Sequence, residues 1–127
     1  MTIASQDDLI QARKVARELA QAVGFTAVDQ TRLAAAVAEI GRNALLYAGS
    51  GACEFVGRRR GRSASVAVVV TDQGPGIADV DAALTPGFAT GLGLGGGIAG
   101  TRRLVDDFAI DSRPGHTAVS FRMARDV

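Results

Sequence analysis

The sequence has no tryptophan, one cysteine (Cys53), one histidine (His116) and one lysine (Lys14). A lone cysteine excludes a disulfide framework and a cysteine-rich metal cluster. A lone histidine excludes histidine-rich metal sites. No apolar run is long enough to span a bilayer. The opening "MTIASQDDLIQARK" carries acids where a secretory signal needs apolar residues, so a cytoplasmic protein is expected. The formal net charge is only +1, which gives no strong field toward nucleic acid or a membrane surface. Nearly all the basic residues are arginine. Arginine suits bidentate contacts to carboxylate or phosphate, although genomic base composition yields the same bias.

What is present suits a single domain over 1–127. The length fits one domain, and 47% of the residues are hydrophobic, enough for a core. Residues 5–23 read as an amphipathic helix, with Ser5 as N-cap and Gly24 just past its end. A second helix runs from Thr26 to Ala48 and stops at "YAGSG". Residues 52–59 look like a strand, with a turn near Gly61. Ser65 to Asp72, "SVAVVVTD", reads as a central strand. Asp79 to Leu84 suggests a helical turn, and Gly96 to Val105 a further helix. "FAIDS" and "TAVSFRM" complete the chain as strands around a turn at "RPGH". Short turns between strands imply antiparallel pairing, with helices covering the sheet. The expected architecture is a two-layer α/β sandwich with a mixed, mostly antiparallel sheet.

Three clusters carry candidate chemistry. In "AEIGRNALLYA", Glu39 and Asn43 stand four apart and project from one helix face. A carboxylate and an amide one turn apart suit a phosphate and Mg²⁺ site. Glu39 is also placed to take a proton from a hydroxyl. On spacing alone a solvated helix face is the better fit, because Glu and Asn four apart are common. In "VVVTDQGPGI", Asp72 ends the central strand, and its carboxylate is suited to an exocyclic amine such as that of adenine. Gly74 and Gly76 let a flat ring approach the backbone, though the same residues make an ordinary turn.

The third cluster is "TGLGLGGGIAG", Thr90 to Gly100. Gly95 to Gly100 match the dinucleotide pattern G-x-G-x-x-G, but no strand directly precedes them. A passive linker would lack Leu92, Leu94 and Ile98. Backbone amides of a glycine loop leading into a helix form an anion site, and that reading uses every feature of the stretch.

In this order the clusters resemble the GHKL ATPase and kinase superfamily, with its Bergerat-type nucleotide fold. "EIGRN" looks like the N-box, "DQGPGI" like the G1 box and "GLGLGGG" like the G2 box. Across nearly the whole chain the sequence resembles the RsbT family of small serine/threonine kinases. The resemblance implies ATP and Mg²⁺, and a STAS-domain protein as substrate in a bacterial stress-signalling partner switch. A PP2C-type phosphatase or a sigma factor is the further partner it implies.

Carried over residue by residue, the resemblance makes Glu39 the catalytic base and Asn43 the Mg²⁺ ligand. It places Asp72 at the adenine amino group, with Gly74, Gly76 and Ile77 beside the ring. Gly91, Leu92, Gly93, Leu94, Gly95 and Gly96 form a lid over the phosphates. Thr117 supports the adenine end, and Arg42 contacts substrate or phosphate. Two departures stand out. "GLGLGGGIAG" replaces the usual leucine-proline version, which implies a more mobile lid. His116 takes the place of a glycine before Thr117, which puts that threonine's role in question. A nucleotide-dependent binding switch with little kinase activity is the alternative. The first helix and the Phe55 strand leave a homodimer open.

Overall fold

The computed structural model describes residues 1–76 and 97–127. The elements run β1 (Thr2–Ile3), α1 (Gln6–Ala22), α2 (Ala27–Ala48), β2 (Gly51–Arg60), β3 (Ser63–Asp72), α3 (Gly97–Leu104), β4 (Asp107–Arg113) and β5 (His116–Asp126). The strands form one sheet in the order β1-β2-β3-β5-β4, and every pair among the described residues is antiparallel. α1 and α2 cover one face of this sheet, and α3 packs on α2. The two-layer α/β sandwich is therefore present. The helical turn expected over Asp79–Leu84 lies outside the described residues.

Local chemistry sets the helix ends. Ser5 accepts a hydrogen bond from the Asp8 amide at 3.1 Å, and Asp8 returns one from the Ala4 amide at 2.9 Å. One of the amide groups that the first turn leaves unpaired is thereby satisfied, and the amide just before the cap is tied to the Asp8 carboxylate. Thr26 caps α2 through the Asp29 amide at 3.2 Å. Gly49 ends α2 in the left-handed conformation, φ +81°, which a residue with a Cβ adopts only at a cost.

The core lies between helices and sheet. On β3, Ala64, Val66, Val68 and Val70 are buried at alternate positions, as expected of a strand with one covered face. Leu33, Val37, Ile40 and Ala44 of α2 meet them within one cluster. Gly41 marks the crossing of α1 on α2: a Cβ there would lie 2.5 Å from Leu9 Cδ1. Cys53 sits in the same core, and burial pushes its thiol up from 9.0 to about 12.

β1 was not anticipated, because two residues carry no periodicity. It pairs with Gly51 and Ala52 of β2. β5 runs beyond the expected Thr117–Met123, to Asp126. Its extension carries Arg125, which binds Asp29 of α2 at 3.0 Å and Asp106 at 2.8 Å. Burial pulls the guanidinium pKa down, but the hydrogen bonds and charges of the two aspartates outweigh it and hold the pKa above its ordinary value. No helix among the described residues is long and apolar enough to cross a membrane.

Candidate functional site

The C-terminal half of α2, the start of β2 and the end of β3 converge at one end of the sheet. Two glycines permit the approach. A Cβ on Gly51 would lie 2.9 Å from the Thr71 carbonyl oxygen and 3.0 Å from Ala44 Cβ. A Cβ on Gly74 would lie 2.8 Å from Ala48 Cβ and 3.1 Å from the Tyr47 carbonyl oxygen. The loop after β3 is therefore pressed against the last turn of α2.

Asp72 closes β3 and turns its carboxylate onto this loop. Its Oδ1 accepts the Gly74 amide at 3.0 Å, an Asx-type turn. Across the sheet Asp72 is the register partner of Thr117. Thr117 is buried, and its hydroxyl shares a 2.7 Å hydrogen bond with Ser112 Oγ. Asp72, Thr117 and Ser112 thus follow one another across three strands. Gly76 has φ +87° and lies against the β4–β5 turn, so this cluster combines a carboxylate, a buried hydroxyl and a side-chain-free backbone. The Gly115 amide also donates to the Gly74 carbonyl at 2.9 Å. A cleft of about 460 Å³ adjoins Asp72 and includes Ser50, Gly51, Thr71 and His116 in its lining.

On α2, Glu39 and Asn43 are both partly exposed. Arg42 Nη1 donates to Glu39 Oε1 at 3.2 Å, so Arg42 holds the carboxylate from one turn further along the helix. Asn43 differs from its neighbours: its amide nitrogen is buried and has no hydrogen-bond partner among the described residues. Buried polar groups are nearly always paired, so this amide calls for a ligand. Turning the amide over exchanges nitrogen for oxygen. The position therefore accepts a phosphate oxygen as a donor site, or Mg²⁺ as a hard oxygen ligand. The donor chemistry fits both groups.

Glu39, Arg42 and Asn43 share one helical stretch, whereas Asp72, Gly74, Gly76 and Thr117 gather around the loop after β3. Ile77, Gly91, Leu92, Gly93, Leu94, Gly95 and Gly96 lie outside the described residues. Sequence reasoning missed Gly41, Gly51, Ser112 and Gly115. A glycine inside a helix is itself a signal of close approach, so Gly41 was detectable. Ser112 acts through cross-strand pairing, and Gly115 through a contact between its turn and the loop after β3, both of which only the fold reveals.

The comparisons agree with this geometry. The family described as histidine kinase-like ATPase domain matches residues 3–123. A curated relative, the serine/threonine-protein kinase RsbT of Bacillus subtilis (strain 168), is 39% identical over 115 residues, 89% of this chain and 85% of the relative. Among solved structures, the catalytic domain of histidine kinase ThkA aligns with a TM-score of 0.57 at 13% identity, covering 98% of this chain and 97% of that one. The mycobacterial sensor histidine kinase MprB aligns with a TM-score of 0.57 at 18% identity, covering 100% and 99%. At such identities these two bear on the fold alone, and it is the Bergerat-type fold. The chain belongs to the histidine kinase-like ATPase domain family and, within it, to the RsbT-like serine/threonine-protein kinases. It is accordingly an enzyme of the protein kinase class.

Proposed function

We propose that this protein transfers the γ-phosphoryl group of ATP to a serine or threonine of a STAS-domain protein, within a cytoplasmic bacterial partner-switching pathway. The observation that carries the reading is the pair on α2. Glu39 is a held carboxylate, and Asn43, one turn on, has a buried amide nitrogen without a partner among the described residues. The 39% identity to a serine/threonine-protein kinase supports the same reading.

In this proposal the chain positions groups and stabilises charge, which is most of what phosphoryl transfer requires. Asp72 accepts a hydrogen bond from the adenine amino group, and Thr117 supports that end through its register with Asp72. Gly74 and Gly76, which have no side chain, leave room for the ring, and Ile77, outside the described residues, is assigned to the same end of the nucleotide. Gly91, Leu92, Gly93, Leu94, Gly95 and Gly96, which lie outside the described residues, are assigned to the phosphates on the resemblance of their sequence to the G2 box. Asn43 holds Mg²⁺, which supplies charge neutralisation at the phosphates. Glu39 takes the hydroxyl proton as the hydroxyl oxygen bonds to the γ-phosphorus. The bond from that phosphorus to the bridging oxygen breaks, and ADP leaves. Arg42 engages Oε1, so Oε2 is the oxygen assigned to the proton.

Incubation with labelled ATP and purified STAS-domain proteins tests this, followed by mapping of the labelled residue. Label on a serine or threonine is expected. No transfer to any of them, with ATP bound, would overturn the kinase reading.

A second reading has an observation of its own. α3 packs on α2, the helix that carries Glu39 and Asn43, and α3 follows directly on the glycine stretch. Nucleotide state then alters the surface offered to a STAS protein, a PP2C-type phosphatase or a sigma factor. Partner affinities measured in apo, ADP and ATP forms separate the two readings. Identical values would remove the switch.

A further inference from the structure

One face of the sheet carries no helix among the described residues. On it the register aligns Arg58 with Ser65 and Ala124, and Arg60 with Ser63 and Asp126. Val56, Ala67 and Arg122 form the next row. The floor is thus built of short side chains, with arginines standing over it. Arg122 is neutralised by Asp107 at 3.2 Å. Arg58 and Arg60 are exposed and join no ion pair among the described residues. Arg58, Arg60, Ser65, Arg122, Ala124 and Asp126 are among the residues that line a groove of about 450 Å³ on this face.

β2 is also a sheet edge over most of its length. β1 pairs only with Gly51 and Ala52, so no neighbour follows along β2 from Glu54 to Arg60 among the described residues. Such an edge leaves backbone amides and carbonyls free at alternate residues. On the helix side of the same edge, Val15, Leu19, Ala22 and Phe55 line a second groove of about 780 Å³. The edge is therefore largely apolar on the helix side, where Glu18 also borders the groove, and carries Arg58 and Arg60 with Glu54 on the other. Protection against aggregation accounts for charge on an edge, but not for a groove on each side of it.

We propose that β2 is a docking edge for an extended segment of a protein partner, acidic and apolar at alternate positions, which adds as a further strand. Side chains of an added strand alternate between faces, with same-face neighbours about 6.6 Å apart along the chain. One set fills the groove between α1 and β2. The other places carboxylates over Arg58 and Arg60, which share that spacing. Charge favours this occupant over a second copy, because residues 57–62 carry four arginines and no acid. It favours protein over nucleic acid as well. Phe55, Phe108 and Phe121 alternate onto the covered face, leaving no aromatic ring on the open face among the described residues to stack a base, and Glu54 shares that face with the arginines.

The test uses the full chain, a fluorescent peptide alternating glutamate and valine, and its lysine-valine counterpart. A single-stranded oligonucleotide serves as competitor. The wild type is expected to bind the glutamate peptide at least roughly fivefold more tightly than the lysine peptide, with affinity falling as salt rises. Arg58→Glu with Arg60→Glu is expected to invert that preference, which a merely unfolded protein cannot do. Amide NMR shifts on binding are expected at Val56–Arg60. Four results would overturn the proposal: equal affinity for both peptides, unchanged preference in the double variant, stronger binding of the oligonucleotide, or self-association through β2 that excludes the peptide.

Discussion

Gly76 lies against Arg113 so closely that a Cβ added to the glycine would stand 2.7 Å from the Arg113 carbonyl oxygen and 2.9 Å from its carbon. The same residue has φ +87°, a region that side chains rarely occupy. The loop after β3 and the β4–β5 turn are thus locked together at a position without room for a methyl group. Gly76→Ala meets both obstacles. The conformational term alone is worth about 1–2 kcal/mol. Denaturant unfolding should report at least that loss, and calorimetry should report weaker ATP binding. An unchanged midpoint would mean that the loop relaxes without cost.

Thr117→Val removes the hydroxyl bonded to Ser112 at 2.7 Å while keeping the side chain's shape. The expected loss is about 1 kcal/mol of stability. Thr117→Ser keeps the hydroxyl and should recover most of the polar contribution. If the valine variant unfolds at the wild-type midpoint, the hydroxyl pair contributes nothing.

Burial pushes the Cys53 thiol up to about 12, from an ordinary value of 9.0. The folded-state pKa is raised, so this group's contribution to stability is fully present below pH 9. It is lost as pH rises from 9 toward 12, because the unfolded chain gives up the proton first. Alkylation by iodoacetamide at pH 8 should be slow in the folded protein and fast in denaturant. Cys53→Ala should reduce the alkaline loss of stability over that window. Rapid alkylation of the native protein would place the thiol outside the core.

Arg125 joins β5 to Asp29 at the start of α2 and to Asp106 before β4. Arg125→Met keeps much of the stem and removes the charge. A loss of about 1 kcal/mol is expected, shrinking in high salt, since the groups are partly exposed. A loss that is insensitive to salt would assign the effect to packing instead.

How much of this was legible follows from the range of each signal. Helix starts depend on residues three apart, and Ser5 and Thr26 announced them. β3 announced itself by its run of valines. The extension of β5 through Ala124–Asp126 did not, because "ARD" has no apolar alternation and is held by Arg125 reaching across to α2. At the site, helical spacing set Glu39 and Asn43 on one helix face, but it equally suits a solvated face, and only the family resemblance gave them roles. The Arg42–Glu39 contact follows from the same i, i+3 geometry, yet the sequence suggested only a substrate or phosphate role for Arg42. The His116 departure made Thr117 look insecure. In the fold Thr117 is buried, bonded to Ser112 and opposite Asp72, and His116 lines the adjoining cleft. Cross-strand neighbours are set by register, and register is not written in local spacing.

The central claim is that Glu39 takes the proton of the attacking hydroxyl. The most direct measurement compares phosphoryl transfer to a STAS-domain protein by wild type and by Glu39→Gln, with ATP affinity measured alongside. The account predicts a loss of roughly a hundredfold or more in transfer rate, while ATP affinity changes little. Transfer at the wild-type rate by the Glu39→Gln protein would contradict it.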